Sequence, residues 1–257
     1  MQADRTGERQ ARRVFDMEII VCKDYQTLGA KAATMFASQV LKKPDSVLGF
    51  ATGSSPLSTY AHMAKLCAEG VADFSRASTY NLDEYYGMGP TEEQSYRKFI
   101  NDNLFTRINI KLENTHVLNG LTDDPERECA EYEAAIDAAG GIDMQLLGIG
   151  HDGHIGFNEP CDEFPNNTHL VTLVPMTLEA NARFFNSIDE VPRQALSMGI
   201  GTIMRAREIV MVVNGADKAE TVRKMVYGPV TPQLPASILQ FHPRVTVFLD
   251  EAAASKL

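Results

Sequence analysis

Apolar residues fall along this chain in short runs, separated by longer stretches in which they recur at helical spacing. The runs stand at 17–22 (MEIIVC), 46–51 (SVLGFA), 78–82 (STYNL), 144–149 (MQLLGI), 169–174 (HLVTLV), 208–213 (EIVMVV) and 244–249 (RVTVFL). Several are apolar on both faces, as strands of a parallel sheet covered on both sides must be. Between them, Leu28, Ala32, Met35, Phe36 and Val40 form one stripe of a helix over 25–42. Thr91 with Gln94 spells a capping box. Asp124-Pro125 opens a helix through Cys129, Tyr132 and Ile136 that Gly140-Gly141 closes. Asp217 is placed to cap a helix ending at Gly228-Pro229. Strand and helix alternate without repeat, low-complexity tract or dividing linker. The pattern predicts a single α/β domain over 17–257 with a doubly wound, mostly parallel sheet flanked by helices. Residues 1–16 read as a non-native or disordered extension whose Asp4, Glu8 and Asp16 argue against a transit peptide.

Composition narrows the class. The chain has 257 residues, 44% hydrophobic and 23% charged, which is ordinary globular usage. A net charge of −10 leaves no chain-wide basic footprint for nucleic acid, so an anionic ligand would need locally concentrated positive charge. No apolar run approaches membrane-spanning length. Cys22, Cys67, Cys129 and Cys161 are far apart and form no CxxC, which predicts reduced thiols in a cytoplasmic protein. The terminal Ser255-Lys256-Leu257 matches a peroxisomal address on three residues only.

In a doubly wound sheet, ligands sit beyond the carboxyl ends of the strands. Three strand-end motifs therefore carry the candidate chemistry. In Ala51-Thr52-Gly53-Ser54-Ser55-Pro56, Gly53 permits a tight turn while Ser54 and Ser55 offer hydroxyls and backbone N–H groups at a helix start. That is either an anion site or a plain serine-capped turn. In Asn81-Leu82-Asp83-Glu84-Tyr85-Tyr86 the adjacent acids are either general bases or helix-start acids. The third motif is Gly148-Ile149-Gly150-His151-Asp152-Gly153-His154-Ile155-Gly156-Phe157-Asn158-Glu159-Pro160. It contains a literal GxGxxG, but Gly156 and Pro160 exclude the helix a dinucleotide site needs. A metal site drawn from His151, Asp152, His154 and Glu159 lacks the HExxH spacing and the usual His/Cys richness of zinc. Acid–base work by an imidazole flanked by carboxylates accounts best for this loop. Two cations complete the set. Arg183 stands among aromatics, and Lys218 stands where it opposes a helix dipole unless an anion is bound.

ATGSSP, NLDEYYG, LLGIGHDGHIGFNEP, NARFF and GADKAE occur in the order seen in glucosamine-6-phosphate deaminases, and the resemblance spans about residues 17–250. It implies conversion of glucosamine 6-phosphate and water to fructose 6-phosphate and ammonia in amino-sugar catabolism, with no cofactor and no metal. It also implies Asp83 as the base at C2, His154 as the ring-opening residue, and Asp152 and Glu159 as acids grouped with that histidine. Gly53, Ser54, Ser55, Arg183 and Lys218 match phosphate-binding positions, and 173–196 corresponds to a mobile lid. The allosteric hexameric relatives carry a basic pair where this chain has His169 and Val171, so the resemblance implies an enzyme without that activation. The rival readings are a 6-phosphogluconolactonase, which shares the fold and a GxDGH-type loop, and a non-catalytic sugar-phosphate sensor. Gluco or galacto epimer and monomer or homo-oligomer stay open.

Overall fold

The central apolar runs, at 47–50, 144–147 and 209–213, are buried along their whole length, as strands of a parallel sheet covered on both faces are. The computed structural model describes residues 17–257, and the extension expected over 1–16 lies outside them. One seven-stranded sheet holds β1 (Glu18–Cys22), β2 (Val47–Phe50), β3 (Ser78–Asn81), β5 (Thr115–His116), β6 (Met144–Leu147), β9 (Ile209–Val213) and β10 (Val245–Asp250). Its spatial order is β1-β10-β9-β6-β2-β3-β5, and every neighbouring pair is parallel. The chain winds outward from β2 through β3 to β5. It then returns to β6 and proceeds the other way through β9 and β10. The strand order thus reverses between β2 and β6, and their two carboxyl-end loops diverge from neighbouring strands, leaving a crevice.

Side-chain alternation divides the core. Met211, Val213, Val247 and Leu249 pack with Tyr132 and Ile136 of α4 (Pro125–Ala138), Ile203 of α6 (Ile200–Met204), and Val222 and Met225 of α7 (Ala219–Tyr227). Val210, Val212 and Phe248 face the opposite way. They pack with Leu28 and Phe36 of α1 (Tyr25–Lys42), Tyr60 of α2 (Leu57–Ala68) and Ile100 of α3 (Tyr96–Asn103). The predicted doubly wound α/β domain is the one observed.

Three local expectations are corrected. The run at 169–174 is not in the main sheet. Its residues His169–Thr172 form β7, which pairs antiparallel with β8 (Gln194–Ser197), itself antiparallel to β4 (Asp83–Tyr85). Thr91 caps no helix: α3 starts at Tyr96, and Ser95 Oγ accepts the Lys98 N–H at 3.0 Å. Asp217 caps nothing either, since a 3₁₀ turn over Ala216–Lys218 precedes α7 and Lys218 holds the N-cap position without a side-chain bond. Among the described residues no helix is long and apolar enough to cross a membrane. All four cysteines are free, two buried and two half-buried.

Candidate active site

Beyond β2 the backbone turns at Gly53, whose φ of +97° an L side chain rarely adopts. Pro56 then holds αR geometry immediately before α2, and no side chain caps that helix. The Leu57 N–H bonds Ser54 O at 3.4 Å and the Ser58 N–H bonds the Tyr25 hydroxyl at 3.0 Å, while Gly53, Ser54, Ser55 and Leu57 line the crevice.

Between β3 and β4 the chain crosses from the large sheet into the small one. Successive strand residues point to opposite faces, so Asp83 and Glu84 diverge. Asp83 lines the crevice, and its Oδ1 is buried without a partner among the described residues. Burial, aided by the neighbouring Glu84 charge, pushes the Asp83 carboxyl up to about 8. Glu84 Oε1 accepts the N–H groups of Tyr85 and Tyr96 at 2.8 and 2.9 Å, and its Oε2 accepts that of Arg97 at 2.9 Å. Burial still raises it to about 7 against those bonds. Of the two adjacent acids, one faces the cavity and the other caps α3.

The loop after β6 folds on itself. Gly150 N–H donates to His154 O at 2.9 Å and Gly153 N–H to Gly150 O at 3.1 Å. The His154 ring lies against Gly150, where a Cβ would come within 2.2 Å of it. Asp152 Oδ1 stands 2.7 Å from His154 Nδ1 and accepts the His154 backbone N–H at 3.1 Å. Burial opposes the Asp152 charge, but the contact with His154 outweighs it and holds the carboxyl below its usual range.

Glu159 departs from expectation. It does not line the crevice and does not reach His154. Its Oε2 accepts the Val174 N–H at 3.0 Å, and its Oε1 accepts the Thr177 hydroxyl, at the start of α5 (Pro175–Asn181). His151 also turns elsewhere: Nε2 meets Asp217 at 2.6 Å, and its carbonyl accepts Thr221 Oγ1 at 2.6 Å. The donors weighed as metal ligands therefore diverge. Among the described residues no three His, Cys, Asp or Glu form a metal-holding group.

The cations arrive from two further elements. Arg183 lies in a 3₁₀ turn over Ala182–Phe184 with its guanidinium 4.6 Å from the Phe184 ring centroid. Lys218 follows Gly215, whose N–H is held by both Asp250 carboxylate oxygens at 3.1 Å. Burial lowers the Lys218 ammonium, the nearby Asp217 and Asp152 charges oppose this, and Arg183 adds to the lowering. Two cations that repel each other thus face one space, and among the described residues neither forms an ion pair with a carboxylate.

That space is a cavity of about 710 Å³. Gly53, Ser54 and Ser55 line it with Arg183 and Lys218, and Asp83, Asp152 and His154 line it too. Of the nine residues matched to catalytic and phosphate-binding positions, Glu159 alone stands off it. Tyr96 and Phe157, to which the sequence motifs assign no role, stack their rings at 5.8 Å and 6° and form part of the wall. Their signal was aromatic side chains close to the acidic and glycine-rich motifs. An unpartnered carboxyl, a histidine with an engaged carboxylate and two unpaired cations suit proton transfer on a small anionic molecule.

Similarity to known proteins shows the family. The sequence model of the glucosamine-6-phosphate isomerases/6-phosphogluconolactonase family matches residues 24–248. A glucosamine-6-phosphate deaminase of Clostridioides difficile is 52% identical over 241 residues, covering 94% of this chain and 97% of that protein. A solved monomeric glucosamine-6-phosphate deaminase superposes with a TM-score of 0.91 at 44% identity, covering 94% of this chain and all of the other. A 6-phosphogluconolactonase from Trypanosoma cruzi, at a TM-score of 0.76 and 17% identity over 95% of this chain and 97% of its own, shares the fold. The chain belongs to the glucosamine-6-phosphate isomerase/6-phosphogluconolactonase family.

Proposed function

We propose that this protein converts glucosamine 6-phosphate and water to fructose 6-phosphate and ammonia. The observation that carries this reading is Asp83: a buried carboxyl with an unpartnered oxygen, in one cavity with the two unpaired cations. Lactone hydrolysis requires no base at C2, and a sugar-phosphate sensor requires no base at all.

In the open-chain sugar, the C1 aldehyde acidifies the C2 hydrogen. Asp83 takes that proton, the electron pair forms the C1–C2 double bond, and the carbonyl pair passes to O1, which takes a proton from water to give an enolamine. A proton returned to C1 gives the C2 imine, which water cleaves to the ketone and ammonia. The pKa of Asp83, lifted by burial, suits a carboxylate that both takes and returns a proton near neutrality. His154 assists ring opening by moving a proton at the ring oxygen. Asp152 engages Nδ1 and so leaves Nε2 for the sugar. The turn at Gly53–Ser55, Arg183 and Lys218 clamp the phosphate, with charge-assisted bonds replacing the missing carboxylate partners.

The segment 173–196 serves as a lid. Its Leu173, Leu178 and Val191 share a small apolar cluster with Tyr85 and Phe157, and it carries Arg183, so closure and phosphate binding are linked. Glu159 holds the start of α5 and acts on this lid rather than on His154. The enzyme works without allosteric activation: His169 and Val171 stand where activated relatives have a basic pair, and the relative of 44% identity is monomeric. Four free cysteines support a reducing, cytoplasmic setting.

The test is release of ammonia and fructose 6-phosphate from glucosamine 6-phosphate, with and without EDTA. Equimolar release insensitive to EDTA is expected. A folded sample that releases neither refutes the activity, and EDTA-sensitive release refutes the metal-free mechanism.

A further inference from the structure

The turn read as the phosphate end is tied to a helix that does not touch the cavity. Tyr25 is the first residue of α1, after the Asp24 cap. Its hydroxyl donates to Ser54 O at 2.6 Å and accepts the Ser58 N–H at 3.0 Å. One phenol oxygen thereby bridges the turn itself and the first turn of α2. This takes up a helix-start N–H that no side chain of α2 caps. The neighbouring register is equally close: Ser58 Oγ donates to Gln26 Oε1 at 3.3 Å, and a Cβ on Gly29 would come within 2.2 Å of Ser58 Oγ. The two helices therefore meet with little slack at the place where the Gly53–Ser55 turn begins. Gly53 has positive φ, and a Cβ there would meet nothing within 4 Å. The Tyr25 bond is the side-chain bond that holds the Ser54 carbonyl.

We infer that Tyr25 is a positioning residue for the phosphate-binding turn, fixing its backbone so that the N–H groups of Ser54 and Ser55 face the sugar phosphate. It touches no reacting atom, and it acts by pre-organising donors that would otherwise be ordered at the expense of binding. This inference rests on the reading of that turn as the phosphate end.

Tyr25→Phe removes the bridging oxygen and keeps the ring. Its effect falls on KM for glucosamine 6-phosphate, which rises about three- to ten-fold, the size of one or two lost neutral hydrogen bonds, while kcat stays within about two-fold. Inhibition by inorganic phosphate weakens in parallel. Asp24→Ala is the control: it removes the cap of the same helix, where Asp24 Oδ1 accepts the Thr27 N–H at 2.7 Å, without touching the turn. It lowers Tm and leaves KM unchanged. An unchanged KM in Tyr25→Phe overturns the inference, as does an equal rise in Asp24→Ala, which would reduce Tyr25 to general helix stability. If the wild-type protein does not turn over glucosamine 6-phosphate at all, the reading of the site fails first and takes this inference with it.

Discussion

Replacing Asp83 by Asn removes a carboxyl that burial has pushed up to about 8. Turnover falls by about a hundred- to ten-thousand-fold, the usual weight of a positioned base, with KM changed only a few-fold. In the wild type, kcat/KM rises with pH as Asp83 loses its proton, through a midpoint near 8. Stability moves the other way. The folded protein holds a proton that the unfolded chain releases near the ordinary Asp value of about 3.9, so the contribution is complete below that value. It is lost as pH rises through about 8. Asp83→Asn cannot ionise, so its Tm exceeds that of the wild type by more at about pH 9 than at about pH 5, as thermal unfolding at the two values will show. NLDEY by itself left general bases and helix-start acids both open. The choice of Asp83 over Glu84 came from the family resemblance and not from the local pattern, because what turns Glu84 away is the placing of the Tyr96 and Arg97 amides, more than ten residues on. The role of Glu159 was hidden for the same reason: Val174 and Thr177 lie in the segment expected to be a lid.

The two cations come from separate elements, a 3₁₀ turn after α5 and another before α7. Lys218→Ala and Arg183→Ala each raise KM by about ten-fold or more, as loss of a charge-assisted bond does. Steady-state kinetics with little change in kcat checks this, and an unchanged KM removes the residue from the clamp. Glu159→Ala frees the first turn of α5, so hydrogen exchange at the Val174 amide quickens while the amides of β9 stay protected. Elements with strong local signals were legible, namely α1, α4, β2, β6, β9 and β10. The small antiparallel sheet was not, because β4 and β8 have only three and four residues and gain their stability by pairing with each other. The capping box at Thr91 failed against a better local solution, Ser95 with the carboxylate of Glu84.

At the scale of the whole molecule, strand order does what no motif does alone. The reversal between β2 and β6 brings together Gly53–Ser55 and Asp152–His154, which lie about a hundred residues apart in the chain. The class of sheet was legible from runs buried on both faces, and the placing of ligands at strand ends followed from that class. The pairing of β1 with β10 was not legible, since nothing local in MEIIVC specifies the last strand as its neighbour. The proposed lack of allosteric activation predicts hyperbolic saturation by glucosamine 6-phosphate, unchanged by N-acetylglucosamine 6-phosphate. A sigmoidal curve that this effector makes hyperbolic would contradict that. The most direct test of the account follows the C2 hydrogen itself. Glucosamine 6-phosphate tritiated at C2 is given to the wild type and to Asp83→Asn, and loss of label from C2 is timed against ammonia release. Label loss is expected to keep step with ammonia in the wild type and to be slowed at least about a hundred-fold in the variant. Label loss by Asp83→Asn at a rate near that of the wild type would contradict it.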